Sequence, residues 1–77
     1  MIKVEYTIEP FVEGELPERV TLTAAALEAL GLSVEIGVFG SSFEVDKESV
    51  GEAMAVLAST AYAHGATHLT VDLSETA

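Results

Sequence analysis

Apolar and polar residues alternate at the start of the chain: Ile2, Val4, Tyr6 and Ile8 are interleaved with Lys3, Glu5, Thr7 and Glu9. A period of two predicts a half-buried strand, ended by Pro10. After the turn-like Glu13-Gly14-Glu15, the period lengthens. Leu16, Val20, Ala24, Leu27 and Leu30 recur at helical spacing, which predicts a helix from Pro17 to Leu30, with Gly31 able to stop it. Two strands are then predicted, from Leu32 to Val38 and from Ser42 to Val45. Asp46 is the expected N-cap of a second helix, whose apolar face is Val50, Met54, Leu57 and Ala61 and whose end is His64-Gly65. Thr67 to Leu73 alternates again and predicts a fourth strand.

The order β-α-β-β-α-β, closed by right-handed crossovers, predicts an α+β domain of ferredoxin-like type. It has a four-stranded antiparallel sheet with both helices on one face. With 77 residues, one domain spanning 1–77 is expected. The predicted core face is Ile2, Val4, Tyr6, Ile8, Phe43, Val45, Leu69, Val71 and Leu73. The other face carries Lys3, Glu5, Thr7, Glu9, Glu35, Gly37, Ser42, Glu44, His68, Thr70 and Asp72, and no helix remains to cover it.

Composition narrows the chemistry. There is no cysteine, so neither a disulfide nor a thiolate nucleophile is on offer, and a reducing, cytoplasmic setting is expected. No apolar run approaches the ~20 residues of a membrane span, and the alternating N-terminal segment does not form a signal-peptide core. A domain this small without a disulfide or zinc staple is expected to gain stability by association with other copies. Thirteen acidic residues against Lys3, Arg19 and Lys47 give a net charge of −10. That balance opposes nucleic-acid binding and suits a cationic ligand, or simple solubility.

Catalytic constellations are weak. Asparagine and glutamine are absent, the histidines are His64 and His68, and the lone Arg19 has no glycine-rich phosphate loop beside it. No catalytic residue, resident cofactor or metal site is assigned. His68 with Asp72 and Glu5 would suit a metal only in a favourable register, and an unremarkable surface histidine is the plainer reading.

The segment Val34 to Asp46 poses the sharper question, because Gly37, Gly40, Ser41 and Ser42 interrupt two strand-like runs. Glycine within a strand marks a bulge or a close approach to the backbone. Phe39 offers an aromatic plane and the serines offer hydroxyls, which together suit a flat heterocycle. A bulged hairpin with Phe39 folded over the sheet end is the structural alternative.

These features resemble the YkoF-like thiamine-binding protein family. The likeness runs through Ile8-Glu9-Pro10, Gly14, Leu30-Gly31-Leu32, Val34 to Ser41, Val45-Asp46, Val50, Ala53 and Gly65-Ala66. It departs at Val38, where that family often has proline, and at Val45, where glycine is common. The resemblance implies a ferredoxin-like fold, association as a homodimer or homotetramer through the sheets, and binding of thiamine or its hydroxymethylpyrimidine part without catalysis. It places the ligand along Glu35, Gly37, Phe39, Gly40, Ser41 and Ser42, on the open sheet face and the hairpin loop, supported by Pro10 and Phe11. The alternative reading is a homo-oligomeric interaction module of the same fold with no small-molecule ligand.

Overall fold

The computed structural model describes residues 1–76. Its elements are β1 (Ile2–Glu9), α1 (Glu18–Glu28), β2 (Glu35–Gly37), β3 (Gly40–Val45), α2 (Val50–Ala63) and β4 (His68–Glu75), with a 3-10 turn at Lys47–Ser49. The four strands form one sheet in the order β2-β3-β1-β4, and β1 pairs antiparallel with both β3 and β4. This is the ferredoxin-like arrangement that the alternation of periods predicts.

Register decides which side chains meet. Val4 lies opposite Phe43 and Leu73, and Tyr6 opposite Ser41 and Val71. The period-two face is thus continuous across three strands. The helices close over it: Leu27 of α1 and Leu57 of α2 have no accessible surface and join Val4, Tyr6, Ile8, Phe43 and Val45 in one cluster. Tyr6 meets Phe43 edge-on, with ring centroids 6.1 Å apart. Leu73 departs from its predicted core place and is half exposed, because β4 is an edge strand with a neighbour on one side only.

The boundaries that differ most from those read in the sequence are in the hairpin and at the start of the second helix. β2 is confined to Glu35–Gly37, while Leu32 and Val34 leave the ladder and pack their side chains against the core. β3 begins at Gly40 instead of Ser42. Asp46 precedes the 3-10 turn and makes no side-chain cap; α2 starts at Val50, with Gly65 following its last turn at φ +95°.

The two glycines of the hairpin are explained by its geometry. Gly37 and Gly40 are the closing pair of a two-residue turn, Val38-Phe39. Neither turn residue has a positive φ, so this is not one of the primed turns whose twist matches the flanking strands. The mismatch falls on the closing pair. Gly40 adopts φ +150°, and a Cβ there would lie 3.0 Å from both the Tyr6 carbonyl oxygen and Thr7 Cγ2. A Cβ on Gly37 would lie 2.9 Å from the Gly40 carbonyl oxygen. The space left by these glycines is filled by the chain's own backbone, not held open for a ligand. Gly40→Ala is therefore expected to destabilise the domain by about 1–3 kcal/mol in urea unfolding. Gly51→Ala, on the exposed side of α2 with nothing near its Cβ, is expected to gain up to about 1 kcal/mol.

Candidate functional site

The ends of β1 and of the β2–β3 hairpin face the loop that leads into α1. Pro10 to Pro17 crosses over the end of the sheet before α1 begins. Arg19 holds this loop down: its Nε donates to the Pro10 carbonyl at 3.1 Å, and a second guanidinium nitrogen donates to the same oxygen. The Glu9–Pro10 peptide is cis. Between the loop and the hairpin lies a cavity of about 290 Å³. Its floor is Tyr6, Ile8, Ile36 and Ser41, and Val20 of α1 closes one side.

The mouth is aromatic and exposed. Phe39 is 91 % accessible, Val38 75 % and Phe11 67 %. Phe39 therefore does not fold over the sheet end. Glu15 contributes a carboxylate to the lining, with Glu13 and Glu18 close by in sequence.

Pro10, Phe11, Gly37, Phe39, Gly40 and Ser41, all singled out in the sequence, come together here. Glu35 and Ser42 do not. Alternation sends the side chain of Ser42 to the face opposite Ser41, across from Glu5 and Glu35. They line a second cavity of about 610 Å³ beside β3, together with Lys3, Glu44 and the start of α2. That cavity is larger but has no aromatic side chain other than Phe43, which is buried. The smaller cavity has the apolar walls and few convergent polar groups of a ligand site, at the lower end of the usual range of about 300–1,000 Å³. Its position on the helix side of the sheet end replaces the open sheet face expected from the sequence.

Tyr6 is the residue that sequence reading placed in the core without a further role. Its phenol is sealed from solvent and makes no hydrogen bond, a state shared by the Thr23 hydroxyl. Burial pushes the phenol above its ordinary value of 10.0. The nearby Ser41 hydroxyl pulls it part of the way back, and the Glu28 carboxylate pushes it up. Tyr6 and Ser41 are cross-strand partners, so their side chains share the helix side of the sheet. The one signal available in the sequence was a hydroxyl-bearing aromatic at an otherwise aliphatic position of the β1 stripe.

The open sheet face is acidic and solvated. Glu5 lies opposite Asp72, whereas His68 lies opposite Glu9, so the register keeps the histidine away from the pair it would need for a metal. Among the described residues, no three His, Asp or Glu side chains are grouped to hold a metal ion. No helix among them is long and apolar enough to cross a membrane.

No protein-family model and no curated protein matches this chain. Among solved structures, it is similar to the hypothetical protein MJ1052 from Methanocaldococcus jannascii, whose crystal structure superposes with a TM-score of 0.67. The match has 15 % sequence identity and covers 99 % of this chain and 80 % of that one. At that identity the likeness is one of fold, and it agrees with the βαββαβ order described above.

Proposed function

We propose that this protein is a non-catalytic small-molecule binder that takes thiamine, or its hydroxymethylpyrimidine part, in the cavity between the β1–α1 loop and the β2–β3 hairpin. The observation that carries this reading is the cavity itself: apolar walls, two exposed phenylalanines at the mouth, and the Ser41 hydroxyl in the lining. A flat aminopyrimidine gains by stacking against Phe11 or Phe39. A thiazolium left at the mouth meets Glu15 and the negative field of a chain with net charge −10. The lining holds Glu15 and Tyr6 as its titratable side chains, which suits recognition rather than acid–base turnover.

Calorimetric titration with thiamine tests the reading. Saturable heat is expected from the wild type. Ser41→Val is expected to weaken binding about tenfold by removing one buried hydrogen bond. Ser42→Val, on the opposite face, is expected to leave affinity within a factor of about two, because a solvent-facing change of this kind is close to neutral. Absence of heat at millimolar thiamine, or equal loss in both variants, contradicts it.

The exposure of Phe39 and Val38 favours a second reading, a homo-oligomeric interaction module in which another copy covers this rim. Sedimentation separates the two. In the module reading Phe39→Ser dissociates the oligomer and thiamine gives no heat.

A further inference from the structure

One residue carries the formal charge of the cavity lining. The polar side chains there are Tyr6, Thr7, Glu15 and Ser41, and the Tyr6 hydroxyl is sealed from solvent. Glu15 is the charged one, and it is exposed. The cations of the chain are placed away from it. Lys3, near the start of β1, lines the second cavity, and Lys47 pairs with Glu75 beyond the same end of the sheet. His64 follows α2, and His68 meets the Thr67 hydroxyl on β4, the edge strand opposite the hairpin. Arg19 stands beside the loop, but its Nε and one terminal nitrogen donate to the Pro10 carbonyl.

Backbone N–H groups compensate little. Leu16 and Pro17 line the cavity, so the first turn of α1 is the helix N-terminus beside it, the kind of place where anions bind. Pro17 has no N–H, Val20 and Thr21 both donate to the Pro17 carbonyl, and the Glu18 carboxylate takes the first turn. The aromatic mouth has the same sign. Ring faces are the negative side of the aromatic quadrupole, and Phe11 and Phe39 are both largely exposed. A cation gains from a ring face and from Glu15 together, and an anion is repelled by both.

We propose that Glu15 and the two phenylalanine faces make the cavity selective by charge: it takes a planar cationic or neutral heterocycle as the free alcohol and refuses the phosphate ester of the same molecule. The inference rests on the cavity being the binding site proposed above, and it adds the class of ligand that the site excludes. A phosphate ester carries a charge of about −1.5 to −2 at neutral pH, which turns singly charged thiamine into a net anion. Brought beside a carboxylate with no cation to pair it, such a group loses hydration and meets repulsion in exchange. Glu15 is the specificity-determining residue in this arrangement.

The test compares thiamine with thiamine monophosphate by calorimetric titration at about 0.01 M and about 1 M salt, where the Debye length is about 30 Å and about 3 Å. Thiamine is expected to bind about tenfold more tightly at low salt, and the ratio is expected to fall to about threefold or less at high salt. A pocket that merely lacks room for the phosphate gives a ratio that salt does not move. Glu15→Gln is expected to cut the low-salt ratio about threefold, as befits one exposed charge acting on ligands of opposite sign. Glu48→Gln makes the same change of net charge in the 3-10 turn at the far end of the sheet. It is expected to leave the ratio within a factor of about 1.5. Both side chains are exposed, so both variants are expected to unfold as the wild type does.

Benzylamine and benzyl phosphate, followed by NMR through the amides of Phe11 to Val20 and Gly37 to Ser41, repeat the comparison with one ring and opposite charges. Equal affinity for thiamine and its monophosphate, a ratio indifferent to salt, or equal effects of the two variants overturns the inference and leaves the thiamine reading standing. If thiamine gives no heat, the fragments decide. Cavity shifts with benzylamine and none with benzyl phosphate, weakened by Glu15→Gln, mean that the thiamine reading falls and the charge rule stands. No difference between the fragments means that both fall.

Discussion

Leu57→Ala is expected to destabilise the domain by about 2.7–5 kcal/mol, the largest single effect of any substitution considered for this chain. Leu57 has no accessible surface and sits where α2 meets the sheet, in the cluster that includes Val4, Phe43 and, from α1, Leu27. Truncation removes the transfer energy of the lost carbons and leaves a hole that neighbours on a rigid sheet cannot fill. For a chain of 77 residues, total stability at about 0.05–0.15 kcal/mol per residue is only about 4–12 kcal/mol. The variant is therefore expected to lose between about a quarter and all of its stability and, at the low end, to unfold at room temperature. Urea unfolding monitored by circular dichroism gives the difference directly. A loss under about 1 kcal/mol would mean that α2 is not held by this contact, and that the two-layer packing is wrong.

The second large effect concerns binding. Phe11→Ala combined with Phe39→Ala is expected to weaken thiamine binding roughly 100-fold. Stacking of a planar base on one aromatic side chain is worth about 1–3 kcal/mol, and the two rings stand on separate walls of the same mouth. Both side chains are largely exposed, so the unfolding free energy is expected to change by no more than about 0.5 kcal/mol. This separation of binding from stability distinguishes a recognition surface from a packing one. Affinity within a factor of two of wild type would show that the aromatic mouth plays no part in holding the ligand.

Most of the fold was legible in the chain because its two periods are clean. Ile2 to Ile8 and Leu69 to Leu73 alternate without interruption, and Val50, Met54, Leu57 and Ala61 mark one helical stripe. The order of strands then follows from short connections and handedness. The hairpin was harder. Gly37 and Gly40 fit equally well as turn residues and as strand residues, so pattern alone did not show that Val38-Phe39 is the turn and that β3 begins at Gly40. The site inherited that ambiguity. Ser41 and Ser42 read as a pair of neighbouring hydroxyls, but adjacent strand residues point to opposite faces, and the ladder gives Ser41 to Tyr6 and Ser42 to Glu5. The cavity itself depends on how the Pro10 to Pro17 loop is tied back by Arg19, a contact between residues nine apart that no local pattern specifies. Pro10 and Phe11 entered the expected site through family resemblance, and in the structure they line the cavity between the loop and the hairpin.

The site and the fold are linked through β1. Tyr6 and Ile8 serve the core and the cavity floor at once, so the sheet that stabilises the domain also supplies the rigid base of the pocket. The loop and the hairpin tip carry the exposed residues of the cavity mouth, which change at little cost to folding.

Thiamine titration followed amide by amide in the NMR spectrum tests the central claim most directly. Saturable shifts confined to Phe11 through Val20 and Gly37 through Ser41, with the β4 strand and the Glu44 region unmoved, are the result this account requires. Shifts centred on Glu5, Ser42 and Asp72 of the open face, or none at millimolar thiamine, would contradict it.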